Sequence, residues 1–194
     1  MGHAARVAGK AGALLVALIA LGLASAGHAA CVDPLAMPVQ YGSAEFTQTR
    51  HLSGVRAPLV SRGRATIAAQ RVEWRVTDPL DIVTTITPAG ITQAVENGPP
   101  QRVGPQGGGD AFLSSAGLLD LLSGNVAALS THYDVAREPA GANGAWRVRL
   151  TPKDAALAQY LARLEIGGCS RVEHVEVRQA NGDWMEIALG PLGS

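Results

Sequence analysis

The sequence predicts a mainly β domain, in which an antiparallel sheet follows the chain from hairpin to hairpin and helices are few. Polar and apolar residues alternate along residues 71–77 and 145–150, which is the period of a half-buried strand. Strand-like segments also flank two turn signals, residues 88–90 and Asn181-Gly182. Because strands joined by short turns pair with each other, these patterns predict a meandering antiparallel sheet.

Each alternating segment places its apolar side chains on one face and its charged side chains on the other. The apolar faces comprise Val72, Trp74, Val76, Trp146, Val148 and Leu150. The segment before the first turn signal adds Ile82 and Ile86. Such faces form either a filled core or a cavity, and periodicity alone does not separate the two.

A helix is predicted at residues 111–122, after Asp110 as N-cap and before Gly124. Its apolar stripe comprises Phe112, Leu118, Leu119 and Leu122.

Two further segments complete the secondary structure. A short helix is predicted from Pro152, running into a strand over residues 161–166. Residues 98–109, rich in proline and glycine, are expected to form a flexible loop. No Gly-Lys-Ser/Thr follows these glycines, which argues against a nucleotide-binding loop.

The N-terminus has the features of a secretory signal peptide. Arg6 and Lys10 precede an apolar stretch at residues 13–24, and small residues near Ala29 fit a cleavage site. The stretch is shorter than the roughly 18 to 20 residues that span a bilayer, which disfavours an uncleaved anchor. We therefore predict a cleaved signal at residues 1–29, one domain at residues 30–189, and a tail at residues 190–194.

The two cysteines fit an exported protein. Cys31 and Cys169 are the only ones in the chain, and disulfides persist outside the cytoplasm. A bond between them would close nearly the whole mature chain into one loop. Two other states remain open from the sequence: a lipidated Cys31, although no aliphatic residue lies three places before it, and two free thiols.

Charge and motifs exclude several functions. Fourteen of the sixteen basic residues lie after the signal peptide, with sixteen acidic ones, and no basic patch suggests nucleic acid. His51, His132 and His174 lack metal-ligand spacing, and the cysteines form no C-x-x-C pair. Glu173, His174 and Glu176 resemble an acid–base cluster, but the polar face of a strand explains His174 and Glu176 more simply. We predict neither an enzyme, nor a metal site, nor a cofactor.

Short landmarks in a fixed order carry a family resemblance over residues 44–189. They are Phe46-Thr47-Gln48, Gly63, Trp74, Pro79, Leu150-Thr151-Pro152-Lys153 and Gly182-Asp183. In this order they resemble the LolA-like periplasmic carriers of outer-membrane lipoproteins, and especially the branch that accompanies glycolipid or aryl-polyene biosynthesis. In that family the first landmark ends a long helix, for which Pro34 and Pro38 leave little room here. The family's lid arginine also has no counterpart at residues 67–70.

The resemblance implies an open antiparallel β half-barrel with a small helical lid. It implies that the apolar strand faces named above hold acyl chains, and that Phe112, Leu118, Leu119 and Leu122 of the helix contact them from the lid. It further implies a monomer in the periplasm that carries a lipid or acylated lipoprotein from an inner-membrane donor to an outer-membrane acceptor. Lipoprotein acyl chains, a glycolipid, a polyene ester and a hopanoid all fit as cargo. The alternatives are a lipid-sensing regulatory module and, if Cys31 is acylated, an anchored outer-membrane acceptor.

Overall fold

The computed structural model describes residues 31–103, 118–141 and 144–193. The predicted signal peptide and the part of the predicted helix before residue 118, which includes Phe112, lie outside the described residues. The side chain of Leu118 lies outside them too.

Strands dominate the described part of the chain, and the helices are short. The strands are β1 (Gly42–His51), β2 (Leu59–Ala68), β3 (Arg71–Asp78), β4 (Ile82–Thr87), β5 (Gly90–Val95), β6 (Gln101–Val103), β7 (Tyr133–Glu138), β8 (Trp146–Pro152), β9 (Leu161–Gly168), β10 (Val172–Gln179) and β11 (Trp184–Leu189). The helices are α1 (Leu118–Leu122), α2 (Val126–Leu129) and α3 (Ala155–Ala158), with a 3-10 helix at Pro34–Ala36.

The eleven strands form one antiparallel sheet in the order β6-β5-β4-β3-β2-β1-β11-β10-β9-β8-β7. Neighbours in the sheet are neighbours in the chain except at the centre, where β1 pairs with β11 and Phe46 lies opposite Leu189. Among the described residues the sheet does not close, since β6 and β7 are its edges. The predicted open antiparallel half-barrel with few helices is confirmed.

The predicted turns are also confirmed, and the short helix predicted from Pro152 is present but begins at Ala155, because Pro152 is the last residue of β8. Residues 88–90 join β4 to β5 as a hairpin, and Gly182 turns between β10 and β11 with a φ of 91°. That left-handed conformation is the one that glycine adopts without strain. The Asp154 side chain caps α3 by accepting hydrogen bonds from the backbone N–H groups of Ala156 and Leu157, after which the chain enters β9.

One expectation needs correction. Residues 98–109 are not entirely loop, because Gln101–Val103 form β6, and β5 supplies the hydrogen-bond partners that the local composition does not predict. Residues 104–109 lie outside the described part. The expectation that Pro34 and Pro38 leave little room for the family's long first helix is confirmed, because that stretch forms only the 3-10 helix and the Phe46-Thr47-Gln48 landmark lies in the middle of β1.

Cys31 and Cys169 form a disulfide with a Cα–Cα distance of 4.4 Å. It fastens the N-terminal segment, residues 31–40, to the turn between β9 and β10. The backbone N–H of Val32 donates to the Cys169 carbonyl at 3.1 Å, and the Gln40 side chain donates to the Ser170 carbonyl at 2.7 Å. The segment therefore lies against the end of the sheet, and Met37 is buried there.

Gly63 lies where two neighbours leave no space for a side chain. A Cβ at this position would lie 1.9 Å from the carbonyl oxygen of Arg75 and 2.9 Å from Cζ of Phe46. We expect Gly63→Ala to lower the free energy of unfolding by about 3 kcal/mol, because the backbone of β3 must move. Urea-induced unfolding measures this loss. Gly141→Ala is the control, since its nearest atoms lie at an ordinary 3.6 Å, and equal losses in both variants would contradict the explanation.

Candidate functional site

The apolar sides of the strands share one face of the sheet, which we call the inner face, and the buried residues of α1 and α2 pack there. On β2 to β5 the register arranges this face in three cross-strand rows. The deep row is Ile67, Val72, Ile86 and Ile91. The middle row is Ala65, Trp74, Thr84 and Gln93. The rim row is Gly63, Val76, Ile82 and Val95.

The deep row is closed core. Its side chains are between 0 and 7 % exposed. Ile67 and Leu122 of α1 line a common cavity of about 20 Å³, which is about the space of one water molecule and too small for an acyl chain.

Exposure increases from the deep row to the rim row. Val76 and Ile82 are half-buried, and Val95 is 48 % exposed. The three side chains lie opposite one another on neighbouring strands. They form a continuous apolar strip that water reaches in this structure, which is the kind of surface that a hydrophobic ligand covers.

Trp74 connects the closed and the open parts of the inner face. Its ring stacks on Phe46, with centroids 3.9 Å apart and an angle of 23° between the planes. Phe46 is buried, whereas Trp74 is only half-buried. The tryptophan therefore has a fixed orientation and still presents apolar surface outside the core.

The predicted site residues fall into three groups. Trp74, Val76, Ile82 and Leu119 are half-buried. Val72, Ile86, Leu122, Trp146, Val148 and Leu150 are buried in the core cluster. Phe112 and the side chain of Leu118 lie outside the described residues. The structure thus assembles an open patch from β3 and β4, whereas the β8 residues lie inside filled core.

Sequence reasoning missed the contribution of β5. The hairpin at residues 88–90 aligns Ile91, Gln93 and Val95 with the inner face of β4. Extending the alternation through that turn would have found them. Phe46 was noted only as a landmark, and its position beneath Trp74 depends on a long-range register.

The outer face of the sheet is polar, and several of its charged side chains form ion pairs. Glu165 lies near Arg163, Arg149 and Arg147, with N–O distances of 2.9, 3.5 and 3.6 Å. Burial raises the pKa of Glu165, but the Arg163 hydrogen bond and the three positive charges outweigh it, so the pKa lies below its ordinary value. Within residues 31–103, 118–141 and 144–193, no group of three His, Cys, Asp or Glu residues is placed to hold a metal ion.

No helix in the described part of the chain combines the length and the apolar character needed to cross a bilayer.

Fold and site together define an open antiparallel half-barrel whose inner face is apolar and only partly covered. Residues 32–191 match the family described as outer membrane lipoprotein carrier protein LolA-like. Since this match spans most of the chain, the protein belongs to the LolA-like family.

Solved structures similar to this chain include the following two. The LolA superfamily protein NE2245 from Nitrosomonas europaea has a TM-score of 0.44 and 10% identity, over 83% of this chain and 90% of its own. A DUF1329 family protein from Desulfovibrio piger has a TM-score of 0.43 and 12% identity, over 79% of this chain and 85% of its own. The chain matches no curated protein.

Proposed function

We propose that this protein binds the hydrophobic part of a lipid or lipoprotein on its inner face and carries it through the periplasm toward the outer membrane. The observation that carries the proposal is the half-exposed apolar strip of Val76, Ile82 and Val95 beside Trp74. Membership of the LolA-like family supports the same function.

The hydrophobic effect is sufficient to hold such a ligand. Each methylene group transferred from water to an apolar surface contributes about 0.8 kcal/mol. Covering about ten methylenes therefore contributes about 8 kcal/mol before the entropic cost of association is subtracted. No charged contact is needed, and the ligand dissociates without any covalent step. The protein acts by sequestration and transfer rather than by catalysis.

Two features support the periplasm as the compartment. The N-terminal residues have the pattern of a secretory signal, and the Cys31–Cys169 disulfide belongs in an oxidising environment. The cargo then comes from a donor at the inner membrane and passes to an acceptor at the outer membrane. A carrier of this kind works as a monomer.

The disulfide also bears on the lipid-anchored alternative. That alternative needs an acyl group on the sulfur of Cys31. In this structure the sulfur is bonded to Cys169, so it has no thiol to modify. We therefore propose a freely diffusing carrier.

Native mass spectrometry of the mature protein, purified from the periplasm of its own host, tests the proposal. We expect a bound lipid at close to one molecule per chain, which extraction then identifies. The same experiment reports the mass of the processed N-terminus and the oligomeric state. A protein that carries no lipid and takes up no added fatty-acyl probe would contradict the proposed function.

A further inference from the structure

A polar pair interrupts the apolar inner face at its middle row. On β4 the inner-face residues are Ile82, Thr84 and Ile86, and on β5 they are Ile91, Gln93 and Val95. Thr84 and Gln93 are direct cross-strand partners, so the two polar side chains meet with apolar residues before and after them on both strands. The pair lies inside the apolar face and not at its border.

The pair is ordered by its own hydrogen bond. The Gln93 side-chain amide donates to the Thr84 hydroxyl at 3.1 Å. Thr84 is only 4 % exposed, and Gln93 is half-buried. Within the described residues this bond uses one amide hydrogen of Gln93, so its carbonyl oxygen and second amide hydrogen have no protein partner there.

These groups distinguish between ligands. A plain alkyl chain laid across the middle row would remove water from the Gln93 amide and return no hydrogen bond, which is unfavourable. A chain with an oxygen function at that depth would replace the lost water. Rows on one face lie two residues apart, so the oxygen must lie about 7 Å deeper than the rim row.

We propose that Thr84 and Gln93 form a polar subsite that selects cargo with a hydroxyl, ester or amide oxygen inside its hydrophobic part. The inference rests on the proposed function and specifies its substrate class: an oxygen-substituted acyl chain, bound in preference to an unsubstituted one. Trp74 precedes this pair in the same row and provides the adjacent apolar contact.

Competition binding with octadecanoic acid and a series of its monohydroxy positional isomers tests the subsite. Each acid displaces a fluorescent fatty-acyl probe from the wild-type protein. One net hydrogen bond corresponds to about fivefold tighter binding. We expect that gain at one position of the hydroxyl, or at two adjacent positions, with weaker binding elsewhere along the chain.

The variant for this test is Thr84→Val with Gln93→Leu, which keeps similar side-chain volumes. In this variant we expect the preferred isomer to lose its advantage, while octadecanoic acid binds at least as tightly as to the wild type. Thr85→Val is the matched control, because Thr85 lies next to Thr84 on the outer face and should leave the preference intact.

Three outcomes would overturn the subsite. All isomers could bind more weakly than octadecanoic acid in the wild type, the preference could be independent of position, or it could persist in the double variant. If neither octadecanoic acid nor any of the isomers displaces the probe, the result contradicts lipid binding itself, and with it the subsite. The proposed function survives the first three results and fails on the last.

Discussion

Trp74→Asp is expected to weaken binding of a fatty-acyl probe at least about a hundredfold. Because Trp74 is already half-buried, a ligand can remove from water only about half of the roughly 150 to 250 Å² of such a ring, which at about 25 cal/mol per Å² is worth about 2 to 3 kcal/mol. A hundredfold loss requires only about 2.7 kcal/mol. The new carboxylate would also lie on the inner face against Phe46, where its charge loses water when a ligand binds. Titration with the fluorescent probe measures the change.

Trp184→Asp is the matched control for this effect. Trp184 is also a half-buried strand residue, but it lies on the outer face, stacked on His51 at 3.7 Å with the guanidinium of Arg178 4.4 Å from its ring. The variant introduces the same chemical change without touching the proposed site. Thermal unfolding of both variants shows whether each remains folded. If the two variants bind the probe equally poorly while folded, the site is misplaced.

The location of the site can also be tested directly by fluorescence. The chain has three tryptophans, Trp74, Trp146 and Trp184. Only Trp74 combines an inner-face position with partial exposure, since Trp146 is 7 % exposed and Trp184 lies on the outer face. A brominated acyl chain should therefore quench emission from the wild type, with the quenched component absent in Trp74→Phe.

The apolar faces of β3 and β8 could be predicted from the sequence because side chains alternate with a period of two. Trp74 and Trp146 were both assigned correctly to the apolar face in this way. The central β1–β11 pair was not predictable, because it joins strands from opposite ends of the chain and no local turn sets its register. The three-residue β6 was not predictable either, because its pairing with β5 outweighs its loop-like local composition.

The distinction between filled core and open site could not be read from the sequence. Val148 on β8 and Val76 on β3 occur in nearly the same alternating pattern, yet Val148 is fully buried and Val76 is half-buried. The difference arises from what covers each strand, which depends on distant parts of the chain. The Thr84–Gln93 pair was likewise hidden, because a single polar residue in a strand reads as a solvent-facing position until its cross-strand partner is known.

Helices α1 and α2 and the N-terminal segment are connected to each other next to the deep row. The backbone N–H of Gln40 donates to the Ser123 carbonyl at 2.9 Å, just after α1. Met37 is buried near Gly124, where its Cε would lie 2.9 Å from an added Cβ. The disulfide holds this segment at its other end. The N-terminal segment is therefore linked to the sheet by a covalent bond, and to the helices by a hydrogen bond and packing.

Replacing both Cys31 and Cys169 by serine is expected to lower the free energy of unfolding by about 5 kcal/mol. The bond joins residues 138 positions apart, so in the chain-entropy model it removes a large part of the freedom of the unfolded chain. That loss is a large fraction of the stability of a typical domain. Urea-induced unfolding of the double variant, and of the wild type after reduction, measures the change.

Asp33→Ala separates the covalent bond from the other contacts of the same segment. The Asp33 carboxylate accepts from the Leu35 backbone N–H at 2.9 Å and from Arg137 at 2.7 Å, and these bonds, in that order, hold its pKa below the ordinary value. Because this ion pair is exposed to solvent, its removal should shift the urea midpoint far less than loss of the disulfide does.

A double serine variant that unfolds at the same urea concentration as the wild type would show that the cross-link does not stabilise the native state. A double variant that is less stable yet binds the fatty-acyl probe normally below its unfolding transition would place the disulfide in the scaffold, because the open strip on β3 to β5 lies away from the segment that it anchors.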